Sequence, residues 1–314
     1  MYLSLSVIGS MIGKSYSALQ IYCTRNNIKH VSHSGHLKLY DVRKFLNDYD
    51  LEIETGKVLV TVNQKGGVGK TTITVNTALA LRNYGLKVLI IDFDQQGNVT
   101  DLLRMDTKPD FPSWYDVAIN KKPLKDVILQ SPYENLDVIP TDDRNMPYLS
   151  MEWQPQYQRR NWENHFNELL KEYDYILCDM PAQYDASLIT VLQSCNELII
   201  PVYLEQLSML SMTRYFDKLN EINNDFNLSY KISLIPNRVN LTTSEHRSNL
   251  TLIEKQLNKF LIHNFENETV YVNQYQEFHK ELTNEFSVWE HSKKSKMRDS
   301  ILMIAKSILG LEVK

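Results

Sequence analysis

Between Val58 and Thr72 the chain reads VLVTVNQKGGVGKTT: an apolar run, a tight glycine cluster flanked by Lys65 and Lys70, and two threonines. Closely spaced glycines let successive backbone N–H groups turn toward one point, and a helix starting just after them adds unpaired amides and the positive end of its dipole. Such a cradle suits phosphate. Against the usual phosphate-loop spacing G-x-x-x-x-G-K-[ST], Gly69-Lys70-Thr71 fits the end. Gln64 stands where the first glycine is expected, and Lys65 adds a second cation at the start of the loop. By charge, Lys70 reaches the β- and γ-phosphates of a nucleoside triphosphate and Thr71 offers its hydroxyl to Mg²⁺. The amides of Gly66, Gly67, Val68, Gly69 and on to Thr72 wrap the phosphate oxygens.

Three carboxylates complete the candidate chemistry. Asp179 closes the apolar run YDYILCD and is placed to hold Mg²⁺ through water; the plainer reading of the same residue is a helix cap or a turn. Asp92 and Asp94 lie two apart in KVLIIDFD, so on a regular strand they share a face. One could support the metal shell while the other orients an attacking water, and the plainer reading is a solvated turn.

These groups need a scaffold that brings strand ends together. Lys57 to Val62 and Lys87 to Phe93 are continuous apolar runs of the buried parallel type. The stretch Gly69 to Tyr84 between them predicts a helix ended by Gly85. Further strands are expected at Leu136–Pro140, Tyr175–Asp179, Glu197–Tyr203 and Ser229–Ile235, with helices at Asn161–Glu172, Asp185–Cys195, Ser208–Asn223, Ser244–Leu261 and Asp299–Leu309. Arg104 to Tyr133 is punctuated by prolines and predicts short helical pieces. The alternation is that of a doubly wound, mostly parallel α/β sheet with its chemistry at the carboxyl ends of the strands.

The first 46 residues differ in charge from the rest. The whole chain of 314 residues carries a formal −4, which argues against a uniformly basic surface. Residues 1–46 carry six basic side chains against Asp41 alone. Their pattern, a helix at Leu5–Met11, a turn at Gly13 and a second helix at about Ser15–Arg25, suits a helix-turn-helix whose second helix offers Ser15, Tyr16, Ser17 and Gln20 to a DNA groove. His30 to Leu39 carries a Ser-Gly turn, followed by Tyr40-Asp41-Val42, like a short wing before a closing helix. The competing reading is a small helical cap with a solvated basic face. Acidic residues 47–56 read as a linker, so the expected organisation is 1–46, 47–56 and 57–314. Cys23, Cys178 and Cys195 form no C-x-x-C pair, which fits small buried hydrophobes in a reducing cytoplasm. The N-terminus is a poor signal peptide, and no apolar run approaches the roughly 20 residues needed to span a bilayer.

VNQKGGVGKTT, LIIDFDQQGNVT, NLDVIP, YDYILCDMP, NELIIPVYLE and LIPNRVN together resemble the deviant Walker A ATPases, and within them the ParA plasmid and chromosome partition family. The resemblance covers nearly all of 57–309. The N-terminal segment resembles the extra helix-turn-helix of the larger ParA proteins, a weaker match. The resemblance implies ATP and Mg²⁺ as ligands and an ATP-sandwich homodimer in which Lys65 crosses to the phosphates of the second subunit. It further implies that Asp94 positions the hydrolytic water, Asp92 belongs to the metal shell with Thr71 and Asp179, and Asn237 contacts adenine. For the dimer it implies non-specific DNA binding through Arg247, Lys293, Lys294 and Lys296, and a ParB-like centromere-binding partner that stimulates hydrolysis. One departure stands out: the family commonly has two prolines after the metal-strand aspartate, and this chain has Asp179-Met180-Pro181-Ala182.

The function expected is therefore ATP-dependent DNA partition in the nucleoid-associated cytoplasm, with the N-terminal segment binding an operator. Its rivals are an ATP-responsive transcription regulator and a membrane-associated ATPase of the MinD type. The latter needs a basic amphipathic C-terminal helix; Ile301, Leu302, Ile304, Ala305, Ile308 and Leu309 fit core packing better, so no stable membrane association is expected. An iron–sulfur enzyme of the nitrogenase-iron-protein type lacks an evident cysteine set. A bacterial tyrosine kinase would carry a C-terminal tyrosine cluster, whereas the 18 tyrosines here are dispersed.

Overall fold

The computed structural model describes residues 2–26, 28, 36–48, 53–106, 111–118, 122–141, 163–183, 186–260, 272 and 296–311. Its centre is a seven-stranded sheet built from β3 (Lys57–Thr61), β4 (Val88–Asp92), β5 (Leu129–Gln130), β6 (Leu136–Ile139), β7 (Tyr175–Asp179), β8 (Glu197–Tyr203) and β9 (Lys231–Asn237). The order across the sheet is β5-β6-β4-β7-β3-β8-β9, and every pairing is parallel except β5 with β6. β4, β7 and β8 are buried along their whole length, which is why their sequences, apart from Asp92, Asp179 and Glu197 at strand ends, are apolar runs rather than alternating ones. Register puts Asp179 at the end of β7 beside Thr61 of β3 on one side and Asp92 of β4 on the other. Three loops therefore leave the sheet at one edge, side by side.

α4 (Lys70–Asn83) follows the glycine loop and is buried along nearly its whole length. The sheet covers one side, and α11 (Lys296–Ile308) packs on another, with Ile301, Leu302, Ile304, Ala305, Ile308 and Leu309 in the same buried cluster as Ile73, Ala80 and Leu81. This burial continues to Arg82, whose Nε donates to the Glu134 carbonyl at 2.6 Å and whose guanidinium lies 5.8 Å from the Tyr133 ring centre. The other face of the sheet carries α8 (Ala186–Leu192), α9 (Gln206–Phe226) and α10 (Ser244–Phe260), with Leu188, Val191, Phe216 and Ile253 in a second cluster. Helices on both faces make this the doubly wound α/β architecture expected. α5 (Asn98–Leu102) follows β4, the proline-rich stretch forms α6 (Trp114–Ala118) and a 3₁₀ turn at Leu124–Val127, and a further helix, α7, occupies 163–169.

The N-terminal segment forms β1 (Tyr2–Ser4), α1 (Leu5–Ile12), α2 (Tyr16–Arg25), β2 (His36–Lys38) and α3 (Leu39–Asp48), with β1 and β2 antiparallel. α3 begins at Leu39, so Tyr40-Asp41-Val42 are already helical rather than a wing preceding the helix. The Ser34-Gly35 turn lies outside the described residues. Leu5, Ile8, Leu19, Cys23, Val42 and Leu46 join the buried cluster of α4 and α11. Arg43 makes a two-pronged ion pair with Asp174, at 2.9 and 3.0 Å. Asp174 in turn accepts from the Lys87 amide at 2.8 Å, tying α3 to the starts of β4 and β7.

Candidate nucleotide site

The loop from Asn63 to Gly69 leaves β3 and enters α4 under constraints that only glycine meets at two points. Gly67 (φ 73°) and Gly69 (φ 94°) are left-handed. A Cβ on Gly69 would also sit 2.4 Å from Asn237 Nδ2, whereas a Cβ on Gly66 or Gly67 would meet nothing within 4 Å. The loop is braced from three directions. Asn63 donates to the Pro201 carbonyl at 2.7 Å and accepts from the Lys65 amide at 2.9 Å. Tyr203 donates its hydroxyl to the Gly67 carbonyl, and Asn237 donates to the Val68 carbonyl at 2.9 Å. Those braces come from the ends of β8, which pairs with β3, and of β9, the next strand out. Preorganisation of this kind lowers the entropy cost of ligand binding.

Beneath the loop, Lys70 is buried and Asp179 is fully buried. Thr71 donates to one Asp179 oxygen at 2.7 Å and Thr74 to the other at 2.9 Å. Thr74 was not singled out from the sequence; its position one turn after Thr71 on the same helical face was the available signal. Burial pushes the Asp179 carboxyl up to about 7, against the opposing pull of the two threonine hydroxyls and Lys70. Asp92 is also fully buried and shifted upward, first by burial and then by the neighbouring Asp179 charge. A hydroxyl and a carboxylate converging at 2.7 Å form a hard-oxygen donor pair, and the open space over Gly66 and Gly67 lies at the same end of α4. That donor set fits Mg²⁺ carried by a phosphate.

Asp94 lies beyond the end of β4, so strand geometry does not set its direction relative to Asp92. β4 ends at Asp92, whose oxygens accept from the Asp94 amide at 3.0 Å and the Val99 amide at 3.3 Å. The chain then turns, leaving Asp94 part-exposed and accepting from the Gln96 amide at 3.1 Å. The expectation of a shared face assumed a strand running two residues further. After Asp179, Met180 is buried and its amide donates to the Thr61 carbonyl at 3.1 Å, so the chain bearing the unusual Met-Pro pair is still tied to β3.

The DNA-contact candidates are scattered. Ser15, Tyr16, Ser17 and Gln20 are all exposed on or beside α2, and Ser15 is its N-cap, accepting from the Ala18 amide at 3.2 Å. Arg247 is exposed in the first turn of α10, with Nη1 donating to the Leu241 carbonyl at 2.5 Å. Lys296 is the first residue of α11, while Lys293 and Lys294 lie outside the described residues.

A family model described as an AAA domain matches residues 56–233. The sporulation initiation inhibitor protein Soj of Bacillus subtilis is 31% identical over 196 residues, which are 62% of this chain and 76% of Soj. The chromosome partitioning protein ParA of Caulobacter vibrioides is 27% identical over 198 residues, 62% of this chain and 72% of its own length. The chain belongs to the ParA family of partition ATPases. Its fold agrees: a plasmid partition protein from Borrelia burgdorferi, solved bound to AMPPNP, superimposes with a TM-score of 0.62 at 23% identity, covering 79% of this chain and 97% of that one. In this ParA-family ATPase the loop and the ends of β3, β4, β7 and β8 lie inside the matched region, while β9 runs past it to Asn237. The segment before residue 56 lies outside it.

Proposed function

We propose that the protein is a DNA-partition ATPase whose ATP-bound form is a homodimer that coats DNA without sequence preference and is released when a ParB-like centromere-binding partner stimulates hydrolysis. The observation that carries this reading is the loop itself, with one buried lysine, Lys70, at its base and a second, Lys65, at its rim. Lys70 and the loop amides hold the triphosphate of ATP, and Thr71 with Asp179 hold Mg²⁺. Bound there, Mg²⁺ offsets negative charge between the β- and γ-phosphates.

Asp94 orients the attacking water, a role supported by its part exposure and by its charge acting on the buried Asp179. Asp92 supports the metal shell from behind: its oxygens are engaged by backbone amides, so it acts by fixing the turn that carries Asp94. Lys65 crosses to the phosphates of a second subunit, where a cation opposite developing phosphate charge has the logic of an arginine finger. Asn237, braced against the loop at Val68, contacts adenine. Arg247, Lys293, Lys294 and Lys296 supply the non-specific DNA surface, residues 1–46 bind an operator for autorepression, and the protein works on the nucleoid in the cytoplasm.

DNA binding with and without ATP, on operator-bearing and random duplexes at stated salt, tests the whole reading. ATP-dependent binding to random duplexes is expected. Binding confined to one sequence and indifferent to ATP would instead indicate a transcription regulator, the second reading, which the exposed face of α2 favours.

A further inference from the structure

Lys65 has a second set of partners within its own chain. Its Nζ lies 3.1 Å from Glu205 Oε2 and 5.6 Å from the centre of the Tyr203 ring. The same ring carries the Arg238 guanidinium 5.0 Å from its centre and is pinned to the loop through the hydroxyl bond to Gly67. Glu205 occupies the N-cap position of α9, yet its side chain makes no capping hydrogen bond there. Its carboxylate is turned to Lys65 instead.

We infer that Glu205 is a positioning residue that stores Lys65 against its own subunit, so that the crossing of Lys65 in the proposed dimer competes with this internal pair. The inference rests on the dimer reading above. Both side chains are well exposed, 36% for Lys65 and 57% for Glu205, so the pair is weak enough to exchange. An exposed pair biases an equilibrium by up to about fivefold. A two-fold symmetric dimer moves two lysines, so the bias reaches up to about 25-fold in the dimerisation constant. Nucleotide phosphates, with more negative charge than one carboxylate, win the competition once a partner subunit brings them within reach. Without them Lys65 stays home, which limits premature pairing.

The test is sedimentation of the full chain by analytical ultracentrifugation with a non-hydrolysable ATP analogue, comparing wild type, Glu205→Gln, Glu205→Ser and Lys65→Ala. Glu205→Gln should dimerise at lower protein concentration, by about two- to 25-fold in the constant. Glu205→Ser, which restores a good N-cap residue, should shift in the same direction as Gln. The gain should shrink with added salt, which a merely structural effect on α9 would not produce. Wild type that dimerises through Lys65 while Glu205→Gln and Glu205→Ser leave its midpoint unchanged or raised overturns the inference alone. Wild type that stays monomeric, or Lys65→Ala that dimerises like wild type, overturns the dimer reading and the inference with it.

Discussion

At the scale of single residues, the two lysines of the loop have different surroundings and so different expected losses. Lys70 is buried at the base of the cradle, so Lys70→Ala should abolish nucleotide binding, read by calorimetry or a fluorescent ATP analogue. Asp94 stands part-exposed past the end of β4, and Asp94→Ala should bind ATP with near wild-type affinity while losing turnover by roughly 10²-fold or more. Normal phosphate release by that variant would remove Asp94 from the mechanism. Asp179 supplies a pH prediction. Unfolded, an aspartate ionises near about 3.9, whereas burial holds Asp179 at about 7 in the nucleotide-free chain. Between those values the folded chain binds the extra proton, so stability falls as pH rises, with the penalty absent below about pH 4 and complete above about pH 7. The melting temperature of nucleotide-free Asp179→Asn, relative to wild type, should therefore climb across that window and level off above it. A difference independent of pH would mean that the buried carboxylate is not the titrating group.

At the scale of elements, α4 connects the site to distant parts of the chain, since its first residue is Lys70 and its flank packs on α11 and beside α3. The apolar residues of α11 that a membrane-binding helix would need are buried against α4, so that stripe belongs to the core. The N-terminal elements are held to the sheet by apolar contacts and by Arg43 with Asp174. The arginine side chain is 47% exposed and the aspartate 15%, so the pair is worth about 0.5–1 kcal/mol rather than the value of a buried one. Arg43→Ala should speed amide hydrogen exchange in α1 to α3 by about two- to fivefold while leaving β3, β4 and β7 unchanged. Equal effects in both regions would show the two behaving as one cooperative unit.

At the scale of the molecule, a formal charge of −4 means that DNA affinity must come from a local surface. Arg247 sits exposed at the start of α10 and is the described candidate there. Arg247→Ala should weaken ATP-dependent binding to all duplexes alike and lower the slope of log affinity against log salt by about 0.9 for each arginine lost. A sequence-selective loss would move Arg247 to the operator-reading role instead.

Much of the site was legible in the chain itself. VLVTV, KVLIID and YDYILCD announce strands because a strand buried on both faces needs an unbroken apolar run, and each is followed by the polar or glycine-rich residues that do the chemistry at its end. The glycine spacing and the paired lysines are local properties, readable without a fold. What tertiary structure decided is how those ends meet. Sheet order brings Tyr203, Glu205 and Asn237 to a loop more than 130 residues earlier in sequence, contacts that local periodicity does not encode. It also ended β4 at Asp92, whose side chain accepts from two amides of the turn that carries Asp94. Local pattern determined the parts of the phosphate cradle; long-range parallel pairing determined which side chains brace it and where Lys65 rests.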